Sequence, residues 1–155
     1  MEQPVNQPIV ENLWWVIPGK LAGVRKPTVD ELRELRISGI GAIVSVLDDR
    51  SNLDLYEQVD IPFHWLPIQG GKPPSPDQIQ ELASFIDDQH RQGLAVAVHC
   101  TNGIRRTGTM LAAHLIYVAS SYDSAIGAIH LANPEVELRD AQIDFLRSLA
   151  GERID

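Results

Sequence analysis

The stretch Leu94-Ala95-Val96-Ala97-Val98-His99-Cys100-Thr101-Asn102-Gly103-Ile104-Arg105-Arg106-Thr107-Gly108 decides how this chain is read. Residues 94–98 form an unbroken apolar run of strand length, which predicts a strand buried on both faces. A short polar loop follows, and the apolar residues over about 107–119 predict a long helix. A second such run, Ala42-Ile43-Val44-Ser45-Val46-Leu47, predicts another central strand. Further strands are expected at 13–17, 20–23 and 63–66, with a polar, charged connection between 47 and 63.

The helices announce themselves by their caps. Thr28 with Glu31 three residues on, and Ser75-Pro76 with Gln78, are capping boxes, the second with Pro at the first helical position. Amphipathic helices follow at about 122–131 and 140–149. Residues 67–76 are rich in Pro and Gly and read as a loop, and 1–11 as an extended N-terminal arm. Helices alternating with short buried strands imply an α/β fold, a central mostly parallel sheet flanked by helices, in a single domain over 1–155. Ligands of such sheets sit beyond the carboxyl ends of the strands, where Cys100 lies.

Composition narrows the chemistry. The 155 residues carry 13 basic and 21 acidic side chains, a net charge of −8 that disfavours nucleic acid and anionic membrane as partners. No apolar run is long enough for a membrane helix, and the N-terminus has no secretory pattern. With one cysteine there is neither a disulfide framework nor a multi-cysteine zinc site, and a reducing, cytoplasmic setting is expected. His64, His90, His114 and His130 lack metal-ligand spacing and read as structural, His114 as a satisfied core residue. Trp14, Trp15 and Trp65 read as core, Tyr122 as surface.

A strand running through a tight loop into a helix aims successive backbone N–H groups into one concavity, where the helix dipole adds positive charge. Gly103 permits the turn and Gly108 close packing of the helix. A thiol at the first position of such a cradle is held as a thiolate below its ordinary range, about 8.5. Thr107 can donate its hydroxyl to the sulfur, and Arg106 can clamp two oxygens of a phosphoryl group. Nucleophile, oxyanion donors and clamp together predict displacement at phosphorus through a covalent intermediate. The Cys, Arg and Thr spacing alone arises by chance in roughly 1 in 100 chains of this length. The flanking His99 and Gly108 make it rarer still.

This segment resembles the His-Cys-x5-Arg-Ser/Thr signature of the cysteine-dependent protein tyrosine phosphatase superfamily. Ile17-Pro18-Gly19-Lys20-Leu21-Ala22-Gly23 and Pro73-Pro74-Ser75-Pro76-Asp77-Gln78-Ile79 look like the small atypical dual-specificity phosphatases. The resemblance implies that Cys100 becomes a phosphocysteine and that Arg106 binds substrate and transition state. It implies backbone donors from Thr101, Asn102, Gly103, Ile104 and Arg105, thiolate assistance from Thr107, and a loop-orienting role for His99. Gln142 corresponds to a residue that orients the attacking water. Neither metal nor organic cofactor is implied. The expected partner is a phosphorylated protein or small phosphorylated substrate, and the expected state a monomer.

One part of the pattern is missing. The family places an aspartic acid on a mobile loop roughly thirty residues before the cysteine, to protonate the leaving oxygen. Here Pro67-Ile68-Gln69-Gly70-Gly71-Lys72-Pro73-Pro74 holds no carboxylate. Asp77 is explained by the helix dipole; Asp48 and Asp49, after the buried strand, and Glu135 and Glu137, before the last helix, are the candidate substitutes. The expected activity is hydrolysis of phosphotyrosine, with phosphoserine and phosphothreonine as further substrates. The alternatives are an RNA 5′-triphosphatase, to which the loop is also similar, an inositol-phosphate or polyphosphate phosphatase favoured by Arg105, and a non-catalytic phosphate-binding module.

Overall fold

Trp14–Ile17 (β1) and Leu21–Val24 (β2) form an antiparallel hairpin at one edge of a five-stranded sheet. Ile40–Ser45 (β3), Phe63–Trp65 (β4) and Ala95–His99 (β5) complete it in the order β1-β2-β5-β3-β4. Every pairing other than the hairpin is parallel. The computed structural model describes residues 8–151. It confirms the α/β class and the mostly parallel sheet. β5 lies between β2 and β3 and is buried along its whole length, as its unbroken apolar run requires.

Helices cover both faces. On one side lie Ile9–Asn12 (α1), Val29–Ile37 (α2) and Leu53–Gln58 (α3), which bury Leu32, Leu35 and Tyr56 against Ile43, Ala95 and Ala97. On the other lie Pro76–Arg91 (α4), Arg105–Val118 (α5), Tyr122–Ala132 (α6) and Asp140–Leu149 (α7), packed on Val44, Val96 and Val98. The period of two along β5 therefore sends Ala95 and Ala97 to the first core and Val96, Val98 and Cys100 to the second.

Both capping boxes form. Glu31 N–H donates to Thr28 Oγ1 at 3.3 Å and Thr28 N–H to Glu31 Oε1 at 3.0 Å; the Ser75 and Gln78 bonds are 3.1 and 2.9 Å. Each cap is worth about 1 kcal/mol. Glu31 also takes a two-pronged bond from Arg25 at 2.9 and 2.6 Å, and this pairing first of all holds its carboxyl down to about 2.

Four local expectations are corrected. The end of the expected arm is a short helix, Ile9–Asn12, whose Ile9 is fully buried; residues 1–7 of that arm lie outside the described residues. The polar connection contains α3, too short to show a helical period and opened by Asn52 in the left-handed region at φ 73° instead of by a Ser or Thr cap. Tyr122 is buried, with the Arg147 guanidinium 4.4 Å from its ring centroid. His114 is in the core but unsatisfied, its Nδ1 having no hydrogen-bond partner, and burial pushes its pKa down to about 4.

Candidate active site

The loop that leaves β5 is held from outside by its carbonyls. His99 Nδ1–H donates to the Cys100 carbonyl at 3.0 Å, Lys26 N–H to the Thr101 carbonyl at 3.1 Å, and Trp14 Nε1–H to the Gly103 carbonyl at 3.0 Å. In a planar trans peptide the following N–H points opposite to the carbonyl. Each tether thus turns an amide inward, toward the concavity. Gly103 stands at φ 72°, and a Cβ there would lie 2.4 Å from the Val24 and Arg25 backbone, so only glycine lets the loop rest on the end of β2. A Cβ on Gly108 would meet Val136 Cγ1 at 2.8 Å, which confirms close packing at the helix start.

Cys100 sits at the base of this concavity, buried. Burial alone pushes its thiol up. Against that, the Thr107 hydroxyl and the N–H groups of Thr107, Ile104 and Gly103 donate toward the sulfur, and together they hold the thiol below its ordinary range. The Thr107 hydroxyl is fully buried and is committed to no hydrogen bond, so it is free to support a thiolate on Cys100.

His99 points to the opposite face of the sheet. Burial brings its pKa down to about 4, so the ring is neutral. Because Nδ1 must carry the proton it gives to the Cys100 carbonyl, Nε2 accepts, and the donor is the Tyr56 hydroxyl at 2.6 Å. Asn52 Nδ2 in turn donates to Tyr56 at 3.0 Å and to the Pro27 carbonyl at 2.8 Å. A continuous hydrogen-bonded chain thus links the start of α2, the start of α3 and the loop.

Arg106 reaches back over the loop. Its Nη1 donates to the Ile68 carbonyl at 3.0 Å and stands 3.6 Å from Asp48 Oδ1. The Arg106 side chain is 16% exposed and that of Asp48 52%. Asp49 is engaged in its own turn: its Oδ1 accepts from Ser51 N–H at 2.9 Å, and Ser51 first of all holds its carboxyl below the usual range. A cavity of about 350 Å³ opens above the sulfur. It is lined by Thr101, Asn102, Ile104, Arg105 and Arg106 of the cysteine segment and by Gly70, Gly71 and Arg139 from two other parts of the chain.

A family model described as "Polymorphic toxin system, DSP-PTPase phosphatase" matches residues 19–120, from the turn of the hairpin through the whole of α5. The chain belongs to the DSP-PTPase phosphatase family. It is similar to the PRL-1 phosphatase of Drosophila melanogaster, at 27% identity over 100 residues, 63% of this chain and 57% of that protein. It is also similar to the human phosphatidylglycerophosphatase and protein-tyrosine phosphatase 1, at 35% identity over 75 residues, 48% of this chain and 37% of that protein. The chain thus spans less than two thirds of either curated relative. Among solved structures, Tk-PTP in its active form matches with a TM-score of 0.80 and 27% identity, over 92% of this chain and 98% of that one.

Within this DSP-PTPase fold the candidate residues separate clearly. Thr101, Asn102, Ile104, Arg105 and Arg106 line the cavity with Cys100, while Gly103 is buried behind it. Gln142 is not among the lining residues. It is buried in the capping box of α7, where its Oε1 accepts from Arg139 N–H at 2.9 Å and its Nε2 has no partner. Asp77 lies in the first turn of α4 and lines a different hollow with His64 and Glu81. Glu137 meets the site only through its backbone carbonyl, which accepts from Arg105 Nε at 3.0 Å. Among the described residues no three His, Cys, Asp or Glu side chains gather as a metal site, and no helix is long and apolar enough to cross a membrane.

Sequence reasoning missed three contributors to this site. Tyr56 was hidden in an unrecognised helix, and Trp14 read as ordinary core. Arg139 lies far down the chain from the cysteine loop. Its one signal is electrostatic: a cation immediately before a helix is repelled by the dipole, so Arg139 at the start of α7 stands where a helix by itself favours an acid.

Proposed function

We propose that the protein hydrolyses phosphomonoesters through a phosphocysteine on Cys100. The observation that carries this reading is the Cys100 thiol held below its ordinary range inside a cradle of N–H groups closed by Arg106. The thiolate attacks phosphorus in line, an S–P bond forms and the ester P–O bond breaks. The charge developing on the phosphoryl oxygens falls on the loop amides and the Arg106 fork. Water then attacks the phosphocysteine, the S–P bond breaks with the Thr107 hydroxyl supporting the departing thiolate, and orthophosphate leaves.

Asp48 is the proton donor to the leaving oxygen in this reading. It supplies what the 67–74 loop lacks, from the neighbouring loop after β3, beside Arg106. Asp49 fits the role less well, because Ser51 favours its ionised form. The substrates are phosphorylated proteins or small phosphate esters. The chain acts as a monomer, as one domain over 1–155, in a reducing cytoplasm.

The test is turnover of para-nitrophenyl phosphate by the purified protein. Activity abolished by Cys100→Ser, with a phosphoryl adduct on Cys100 seen by mass spectrometry after acid quench of the wild type, is the expected result. Undiminished activity in Cys100→Ser overturns the reading.

A further inference from the structure

Three guanidinium groups line one cavity in a chain whose net charge is −8, and one of them suffices for a single transferring phosphoryl group. Among the described residues neither Arg105 nor Arg139 forms an ion pair, and no carboxylate is among the lining residues, Asp48 meeting the site at Arg106. We infer that Arg105 and Arg139 form a second anion subsite, which takes a further phosphoryl group of the same small, non-aromatic substrate. This rests on the reading of Cys100 as the nucleophile and adds the substrate class.

The geometry of the two arginines supports a built subsite. Arg105 is anchored by its Nε to the Glu137 carbonyl at 3.0 Å, which fixes the root of the fork while the terminal nitrogens stay unbonded to any described residue. Arg139 lies against Gly71, where a Cβ would stand 3.5 Å from its Cδ and 3.7 Å from its Nε. Gly70 and Gly71 put no side chain between Arg139 and the opening. The loop position that lacks an acid is therefore also the position that admits the second cation. Unpaired arginines lining one cavity repel, and an anion bound by both removes that repulsion.

The walls choose the carrier. An aryl phosphate gains from apolar and aromatic surface around its ring. Ile104 is the one apolar side chain larger than Cys100 among the described lining residues, and no aromatic side chain is among them. Thr101 and Asn102 instead offer hydrogen bonds to hydroxyl groups. A cavity of about 350 Å³ admits a molecule well beyond orthophosphate in size. A polyol bearing two or more phosphates meets all of these conditions.

The experiment compares kcat/KM for myo-inositol 1-phosphate, myo-inositol hexakisphosphate and a doubly phosphorylated peptide. The expected result is a preference of about tenfold or more for the hexakisphosphate over the monophosphate, falling as salt is raised. Arg139→Ala and Arg105→Ala each lower that ratio severalfold, and Arg139→Lys restores part of it. No preference, or a ratio unmoved by both alanine variants, overturns the subsite. An Arg139-dependent preference for the doubly phosphorylated peptide over the polyol overturns the carrier. Calorimetry on the Cys100→Ser protein separates the two readings. Tighter, Arg139-dependent binding of hexakisphosphate than of orthophosphate supports the subsite even if the wild type turns over nothing, which refutes the catalytic reading alone. Equal binding of the two ligands, with para-nitrophenyl phosphate still turned over by the wild type, refutes the subsite alone.

Discussion

Trp14 gives its indole N–H to the carbonyl of Gly103 at 3.0 Å, across 89 positions of sequence. The edge hairpin is thereby part of the cysteine loop's mould. The bond fixes the Gly103–Ile104 peptide with its N–H toward Cys100, one of the groups that hold the thiol down.

Trp14→Phe keeps the ring and deletes the donor. The buried Gly103 carbonyl is then unsatisfied, at a cost of about 1–3 kcal/mol. The expected outcome is a lower Tm together with a higher midpoint in the pH dependence of Cys100 alkylation by iodoacetamide. A lower Tm with an unmoved midpoint would confine Trp14 to packing.

Thr107→Val removes the hydroxyl that faces the sulfur. The Cys100 pKa rises, and the acidic limb of kcat/KM moves to higher pH with it. Breakdown of the phosphocysteine slows by about tenfold, visible as a larger burst of product before steady state. Because that hydroxyl is committed to no hydrogen bond, stability changes by less than about 1 kcal/mol. An unchanged acidic limb would remove Thr107 from thiolate stabilisation.

Asp48→Asn is read by its dependence on the leaving group. Loss of the proton donor costs about 10²–10⁴ with an alkyl phosphate and far less with a para-nitrophenyl ester, whose phenolate departs unaided. The basic limb of the pH–rate profile flattens as well. Equal losses on the two substrates would assign Asp48 to holding Arg106, 3.6 Å away, and not to proton transfer.

His99 makes stability depend on acid. Buried and neutral, it titrates at about 4 in the fold against about 6.5 when unfolded, so the unfolded chain binds the extra proton. Its contribution is complete above ~6.5 and is lost as pH falls toward ~4, by about 3 kcal/mol in all. His114, depressed by burial to about 4, acts in the same direction. Tyr56→Phe deletes the proton that Nε2 accepts, raises the His99 pKa and narrows the window, a shift visible in the His99 ring resonances. Unfolding free energies that are flat between pH 7 and 4.5 would contradict the neutral, buried ring.

Gly108→Ala drives a Cβ to within 2.8 Å of Val136 and costs about 1–3 kcal/mol. Val136→Ala in the same chain relieves the clash. The double variant is therefore more stable than the sum of the single effects, measured by denaturant titration.

The cysteine loop was legible in the sequence, and so was the sheet around it. Unbroken apolar runs at 42–47 and 94–98 can be satisfied only by central strands, and Thr28 and Ser75 mark helix starts because their side chains bond backbone three residues on. Cys100, Arg106 and Thr107 belong to one segment, so their spacing alone brings them to one cradle. Such information is local: it lies in periods, caps and short spacings.

What only the tertiary structure decided is everything that reaches the loop from elsewhere. Trp14, Lys26, Tyr56, Asp48 and Arg139 come from five different connections and elements, and no periodicity relates them to Cys100. They meet because parallel strands place successive loops at one end of the sheet, and because Gly103 and Gly108 let backbone and helix close up where any side chain would hold them apart. The sequence by itself determined that a thiolate cradle exists. The packing decided which carboxylate stands beside Arg106, which hydrogen bonds hold the loop's amides inward, and that a third arginine joins the lining of the cavity.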